Sequence, residues 1–330
     1  MHAPNWLGDS LMARPFVAGL LAEHRSRAAV VVAHPRVSPV WQAWPGLQVV
    51  ETRPGPWYAD AWRTSRRIKH LGAFQRGYLL SASFRSAATF ALAGVPERVG
   101  FVAGGRSWML TEPVRRLPAG RLHYSLEFCR LGSVCPRPEQ VPAFVWPAAA
   151  KHRAEALLQS GVPAGSDYAV IAVGSAGHAK RYPVLLWRQV IAQIGTHSPV
   201  VLVGTSGEAT LAGEAAGGCE GVINLCGATG LAELALILQS AAVFAGVDSG
   251  AAHLASAVGC PSVVLFGPGD PAETSPQGER LITLRDGLWC SPCRSRICLR
   301  PHTPSECMDR ISPDAVVSAV LGIRRTTVAG

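Results

Sequence analysis

The sequence predicts an α/β protein of two Rossmann-like domains, each a parallel sheet wound on both faces by helices, facing one another across a cleft. Three observations carry this expectation. The chain has 330 residues, too many for one typical hydrophobic core and comfortable for two. Hydrophobic residues make up 48% and charged residues 16%, enough to fill such cores and too apolar for disorder. Short apolar runs alternate with helical stretches along the chain, which is the pattern of repeated strand–helix–strand units.

In the first half, Ala28–Ala33 (AAVVVA), Leu47–Val50 and Gly77–Ser81 read as buried strands, each followed by turn or helix signals. Asn5-Trp6-Leu7-Gly8-Asp9-Ser10 reads as a strand-to-helix loop, yet little chain precedes it. The first strand is therefore expected to be short, with the true start upstream. Residues 136–150 (PRPEQVPAFVWPAAA) carry four prolines and read as a linker, with a helix after it at about Lys151–Ser160. The boundary is placed at 145, giving domains 1–145 and 146–330.

The second half is more regular. Strands are predicted at Tyr168–Val173, Pro199–Gly204, Gly221–Leu225, Ala242–Gly246 and Ser262–Phe266. Helices are predicted at Val184–Gly195, Glu208–Ala216, Leu231–Ser240 and Gly250–Val258. Crossovers in such a sheet are right-handed, and ligands bind beyond the carboxyl ends of the strands. The Gly-rich turns of this half fall at such ends.

Composition excludes several classes. No apolar run reaches 18 residues without a charge, and the longest, around Leu231 to Val247, contains Glu233; a spanning helix is not expected. His2-Ala3-Pro4-Asn5 is not the opening of a signal peptide, so a cytoplasmic location is expected. The net charge of +9 is uneven. Residues 1–150 hold 18 Lys/Arg and 8 Asp/Glu, and residues 151–330 hold 13 and 14, so +10 faces −1. A basic half suits phosphates, acidic sugars or an anionic membrane surface. Genome composition accounts for 28 arginines against three lysines, but not for their concentration in one half. Without aromatic platforms or a known motif, nucleic acid is not the expected partner.

The strongest chemical signal is Phe244-Ala-Gly-Val-Asp-Ser-Gly-Ala-Ala-His253. A buried strand runs into the turn Asp248-Ser249-Gly250 and a small-residue helix. Amides at that helix start, with the positive end of its dipole behind them, make an anion site fit for a pyrophosphate. Gly250 permits close approach of the ligand, Asp248 can bond a ribose or sugar hydroxyl, and His253 can reach a phosphate. The plainer reading is an N-cap. A hydrolase elbow is excluded because Asp stands where that motif has Ser. The second signal is Val173-Gly-Ser-Ala-Gly-His-Ala-Lys-Arg-Tyr-Pro183. Gly174 and Ser175 begin a small-residue loop, and Lys180 can neutralise a leaving diphosphate; the plainer reading is a surface loop with two solvated cations. The spacing is not that of a nucleotide-hydrolase P-loop.

These segments resemble a known family. Ala179-Lys180-Arg181-Tyr182-Pro183, Val247-Asp248-Ser249-Gly250-Ala251-Ala252-His253-Leu254-Ala255 and Phe266-Gly267-Pro268 are similar to the signature segments of the ADP-heptose:lipopolysaccharide heptosyltransferases, glycosyltransferase family 9. Pro4–Met12 resembles the family's opening loop, most like the heptosyltransferase II branch. The resemblance runs in order over nearly the whole chain and implies the GT-B fold. It departs in Val173, where members often have Pro, and in the short first strand. It implies Asp9 as general base, Lys180 at the donor phosphates, and Asp248, Ser249, Gly250 and His253 as donor loop. The plainer reading of Asp9 is another N-cap.

The family's acceptor carries phosphates and acidic sugars, and Arg63, Arg66, Arg67 and Lys69 lie within two helical turns. They are expected to grip it; a solvated helix face is the plainer reading. The implied reaction is inverting heptose transfer from ADP-heptose to an inner-core lipopolysaccharide acceptor, at the inner face of the inner membrane, with no cofactor. The alternatives are a GT-B sugar-nucleotide epimerase or hydrolase, or a non-catalytic nucleotide-sugar binding protein. Cys290, Cys293, Cys298 and Cys307 have spacing that permits a metal site. Such chemistry needs no metal when a lysine and helix dipoles hold the diphosphate, and free thiols are expected. The five scattered cysteines are expected to be small buried hydrophobes.

Overall fold

Among the described residues every strand pair is parallel, as buried runs separated by helices require. The computed structural model describes residues 1–24, 29–134, 138–300 and 302–325. It divides into two compact units, Met1–Val145 and Trp146–Gly330. Ala28 of the first predicted strand and residues 136 and 137 of the predicted linker lie outside the described residues.

The first unit runs α1 (Leu7–Met12), α2 (Arg14–His24), β1 (Val30–Ala33), α3 (Ser38–Gln42), β2 (Gln48–Glu51), α4 (Trp57–Leu71), β3 (Arg76–Leu79), α5 (Phe84–Leu92), β4 (Glu97–Phe101), β5 (Glu112–Val114) and α6 (Tyr124–Cys129). Its strands form two sheets, β1-β2 and β3-β4-β5. The segment Met1–Ala3 lies between them. His2 bridges to Val32 and to Leu79, the His2 amide donates to the Tyr78 carbonyl at 2.8 Å, and the Ala3 amide donates to that of Val32 at 2.9 Å. The short first strand is thus a few residues completing the order β2-β1-(1–3)-β3-β4-β5. Apolar side chains fill both faces, with Phe16, Trp41 and Phe101 on one and Ile68, Leu79 and Phe90 on the other. Gly77 is glycine because a Cβ there would lie 2.5 Å from the Phe90 ring.

This placement has a titration consequence. His2 is fully buried, and burial pushes its imidazole from the ordinary 6.5 down to about 3. The unfolded chain therefore takes up the proton first. The stability contributed by neutral His2 is complete above pH 6.5 and is lost as pH falls towards 3. Replacing it with an apolar strand former, His2→Val, is expected to shrink the drop in urea midpoint between pH 7 and pH 5. Equal drops in the two proteins would show that His2 is protonated alike in both states.

The second unit runs α7 (Ala148–Leu158), β6 (Ala169–Ala172), α8 (Val184–Gly195), β7 (Val200–Leu202), α9 (Ala209–Ala216), β8 (Val222–Asn224), α10 (Leu231–Ser240), β9 (Val243–Val247), α11 (Gly250–Ala257), β10 (Ser262–Phe266), α12 (Pro271–Thr274), β11 (Leu281–Arg285), α13 (Glu306–Asp309) and α14 (Pro313–Ile323). Helix α7 starts three residues before the predicted Lys151, since Pro147 opens it and three alanines carry its first turn. The predicted helix from Glu208 begins as a 3-10 turn at Ser206–Glu208 closed by a Thr205/Glu208 capping box. In α8, Trp187, Val190, Ile191 and Ile194 recur at helical spacing and are buried. They join Val316, Val317 and Val320 of α14 in the core of this unit.

The six-stranded sheet has the order β11-β10-β9-β6-β7-β8. The chain winds outward from β6 through β7 and β8, then returns to place β9 on the other side of β6. The order reverses between β6 and β9, and in open α/β sheets ligands bind at the carboxyl ends flanking such a switch.

Candidate functional site

Both sequence signals emerge at that switch. Strand β6 leads into the loop from Val173 to Lys180, and β9 leads into Asp248-Ser249 and α11. The structure joins them directly, with Lys180 Nζ 2.5 Å from Asp248 Oδ2. Local chemistry holds the lysine in place. Its neighbour Tyr182 is buried, donates through its hydroxyl to the Ile311 carbonyl at 2.7 Å, and meets Trp187 edge-on. Ala179 is buried too, while Arg181 is exposed. Only the lysine of Ala179–Pro183 is tied to Asp248.

Simple capping does not describe the turn before α11. Ser249 occupies the N-cap position, but its side chain makes no cap hydrogen bond, and its buried Oγ has no hydrogen-bond partner. The Asp248 carboxylate bonds Lys180. A buried hydroxyl without a partner is costly, and beside a helix N-terminus it suits a phosphate or sugar oxygen. Gly250 is the first residue of α11, and His253 is buried one turn in. Ser175 is buried, and its Oγ accepts from the Gly177 amide, so it shapes its own loop. Gly269 presses on the carboxylate as well, since a Cβ there would lie 2.8 Å from Asp248 Oδ2.

One residue at this edge escaped the sequence reading. The Glu208 carboxylate lies between the ends of β6 and β7, where a Cβ on Gly174 would come 1.9 Å from Oε1 and one on Gly204 2.8 Å from Oε2. Gly174 is therefore required by the packing of Glu208 against its backbone. The available signal was the capping spacing Thr205–Glu208, confirmed by donation from the Thr205 amide at 2.7 Å.

Residues 291–296 brace these loops. The Ala179 amide donates to the Arg296 carbonyl, the Arg294 amide donates to that of Pro268, and Ser291 Oγ donates to that of Gly267. The Arg294 guanidinium pairs with Asp270 and Glu273. Cys290, Cys293, Cys298 and Cys307 line one small cavity of about 20 Å³ with Ala179 and Pro268. Burial, with the other three cysteines adding, pushes the Cys307 thiol up to about 11. Among the described residues no three His, Cys, Asp or Glu side chains form a group that could hold a metal ion. Of the scattered cysteines, Cys129 and Cys260 are buried and Cys219 and Cys226 half-buried; Cys135 lies outside the described residues.

The remaining candidates belong to the first unit. Asp9 is half-buried in the first turn of α1, whose N-cap is Trp6, so Asp9 is not an N-cap. Ser10 Oγ donates to the Pro4 carbonyl at 3.0 Å and fixes the entry to this helix. The basic residues of α4 divide. Arg63 and Arg67 donate to the backbone carbonyls of Pro54 and Glu51, whereas Arg66 lies over the Trp62 ring at 5.1 Å and Lys69 is exposed.

The chain is similar to known proteins over most of its length. The chain is 26% identical to lipopolysaccharide heptosyltransferase 2 of Salmonella typhimurium over 86% of each chain. It is 28% identical to lipopolysaccharide heptosyltransferase 1 of Pseudomonas aeruginosa, a match spanning about half of either chain, 47%. The solved ADP-heptose lps heptosyltransferase II of E. coli superposes with a TM-score of 0.79 at 20% identity, covering 98% of this chain and 97% of that one. The fold is accordingly GT-B. The sequence model of glycosyltransferase family 9 (heptosyltransferase) matches residues 62–303, and the chain, a glycosyltransferase, belongs to that family.

Proposed function

We propose that this protein transfers a heptose from ADP-heptose to an inner-core lipopolysaccharide acceptor, with inversion at the anomeric carbon. The observation that carries the reading is the joining of Lys180, Asp248 and the unpartnered Ser249 hydroxyl at the start of α11, a cationic and amide-rich setting for a diphosphate. The names of the relatives supply the sugar, the nucleotide and the acceptor class.

In the proposed step, an acceptor hydroxyl oxygen forms the bond to the anomeric carbon as the bond from that carbon to the donor phosphate breaks. The hydroxyl proton passes to the Asp9 carboxylate. ADP departs with the bonding electrons, held by Lys180 and the α11 amides. Gly174 and Ser175 shape the donor loop, Asp248 orients the lysine, and His253 lines the same turn. The unit Met1–Val145, with Arg63, Arg66, Arg67 and Lys69, takes the anionic lipid-linked acceptor, and Trp146–Gly330 takes the donor. The work is done at the inner face of the inner membrane, by a protein in which no helix is long and apolar enough to span it among the described residues.

The test is to incubate the purified protein with ADP-heptose and a panel of truncated core acceptors and to measure ADP. Acceptor-dependent release is expected. Release at the same rate without acceptor would identify a hydrolase, and none with any acceptor a binding protein.

A further inference from the structure

Aromatic side chains are exposed along one edge of the first unit. Trp57 follows β2, Phe84 follows β3 and Trp108 follows β4. All three therefore lie at the carboxyl edge of parallel strands. They touch in series: Trp57 meets Phe84 edge-on at 5.1 Å between ring centres, Phe84 meets Trp108 at 6.4 Å, and Trp57 meets Tyr58 at 6.0 Å. Tyr58, Trp62 and Arg66 then follow one another at a spacing of four along α4, on one exposed stripe. These rings are 38–76% exposed, whereas large apolar side chains grouped on a surface ordinarily mark a contact.

Charge identifies the contact. Residues 52–70 contain Arg53, Arg63, Arg66, Arg67 and Lys69 and a single acid, Asp60. That acid is buried, accepts from the Arg53 amide at 2.7 Å and pairs with Arg85 at 3.4 Å. The aromatic edge is thus flanked by cations with no exposed carboxylate on α4. Trp and Tyr favour the boundary between lipid headgroups and acyl chains, and nearby Arg and Lys are drawn to anionic headgroups. We propose that Trp57, Tyr58, Trp62, Phe84 and Trp108 form a docking edge that seats this unit on an anionic phospholipid surface. It rests on the proposed function only in that a lipid-linked acceptor is drawn from that surface; binding to lipid does not require the reaction.

The full chain is sedimented with vesicles of phosphatidylcholine alone and of phosphatidylcholine with phosphatidylglycerol. Tyr58 and Trp108 are the most exposed of the rings, at 62% and 76%, so Tyr58→Ser with Trp108→Ser removes apolar surface without opening the core. The parent is expected to bind the anionic vesicles, more weakly as salt rises. The double variant is expected to bind them about tenfold more weakly while keeping the parent's rate on a water-soluble, deacylated acceptor. Equal binding by parent and variant, or no preference of the parent for anionic lipid, would overturn the proposal. So would unchanged vesicle binding with lost activity on the soluble acceptor, which would make the rings a saccharide subsite. Vesicle binding without ADP release from ADP-heptose would sink the proposed reaction and leave the docking edge standing.

Discussion

Asp9→Asn is expected to lower turnover by about 10²–10⁴, an increase of roughly 3–5 kcal/mol in barrier. The amide keeps the size of the side chain and its place in the first turn of α1, but it cannot take a proton from an acceptor hydroxyl. A general base acts on the chemical step, so affinity for ADP is expected to stay within about twofold. Steady-state turnover and calorimetric binding of ADP, measured on the same preparation, separate the two. Turnover close to that of the parent would remove Asp9 from the mechanism. A matching loss of ADP affinity would mean that the change had disturbed the protein beyond this residue.

Lys180→Ala is expected to damage binding and turnover together. The ammonium sits 2.5 Å from Asp248 Oδ2, and a diphosphate at the start of α11 can share it. A charge-assisted contact of this kind is worth about 1.5–3 kcal/mol, so ADP affinity should fall about tenfold or more. Turnover should fall further, because charge on the leaving group grows as the glycosidic bond breaks. Removing the lysine also strands the mostly buried Asp248 carboxylate beside an anionic ligand. Asp248→Asn in the same chain is therefore expected to recover part of the lost affinity. Unchanged ADP affinity in Lys180→Ala would place the lysine away from the phosphates.

Much of the second unit was legible because β6, β7, β9 and β10 are buried along their whole length and read as unbroken apolar runs. Helices α8 and α10 and strand β10 fall on the predicted bounds. Elements with mixed surfaces were harder to read. Strand β4 opens with Glu97 and Arg98, and the Arg98 side chain is spent on the carbonyls of Met109 and Val95. Strand β11 is an edge strand, half exposed along its length. In the site, glycine turns and charges in sequence pointed to Lys180 and Asp248, but their pairing depends on β9 returning beside β6. Glu208 was hidden because a capping box looks the same whether or not its carboxylate also packs against two glycines. The aromatic edge was hidden because Trp57, Phe84 and Trp108 come from three separate crossovers.

The bridging residues Met1–Ala3 bear on how the first unit holds Asp9. In the second unit, six strands share one continuous ladder, so separating any inner pair disrupts a whole sheet. In the first, β1-β2 and β3-β4-β5 are joined through one short segment. Packing closes the gap: His2 and Ala3 are fully buried, Val31 and Tyr78 share one core cluster, and Val32 and Leu79 share the other. The same buried segment leads through Pro4 into α1, so the core of the unit sets where Asp9 stands. The placement of the proposed base is thus tied to the interior of its own unit, and substitutions at His2 or Ala3 can act on proton transfer through local order without touching a substrate.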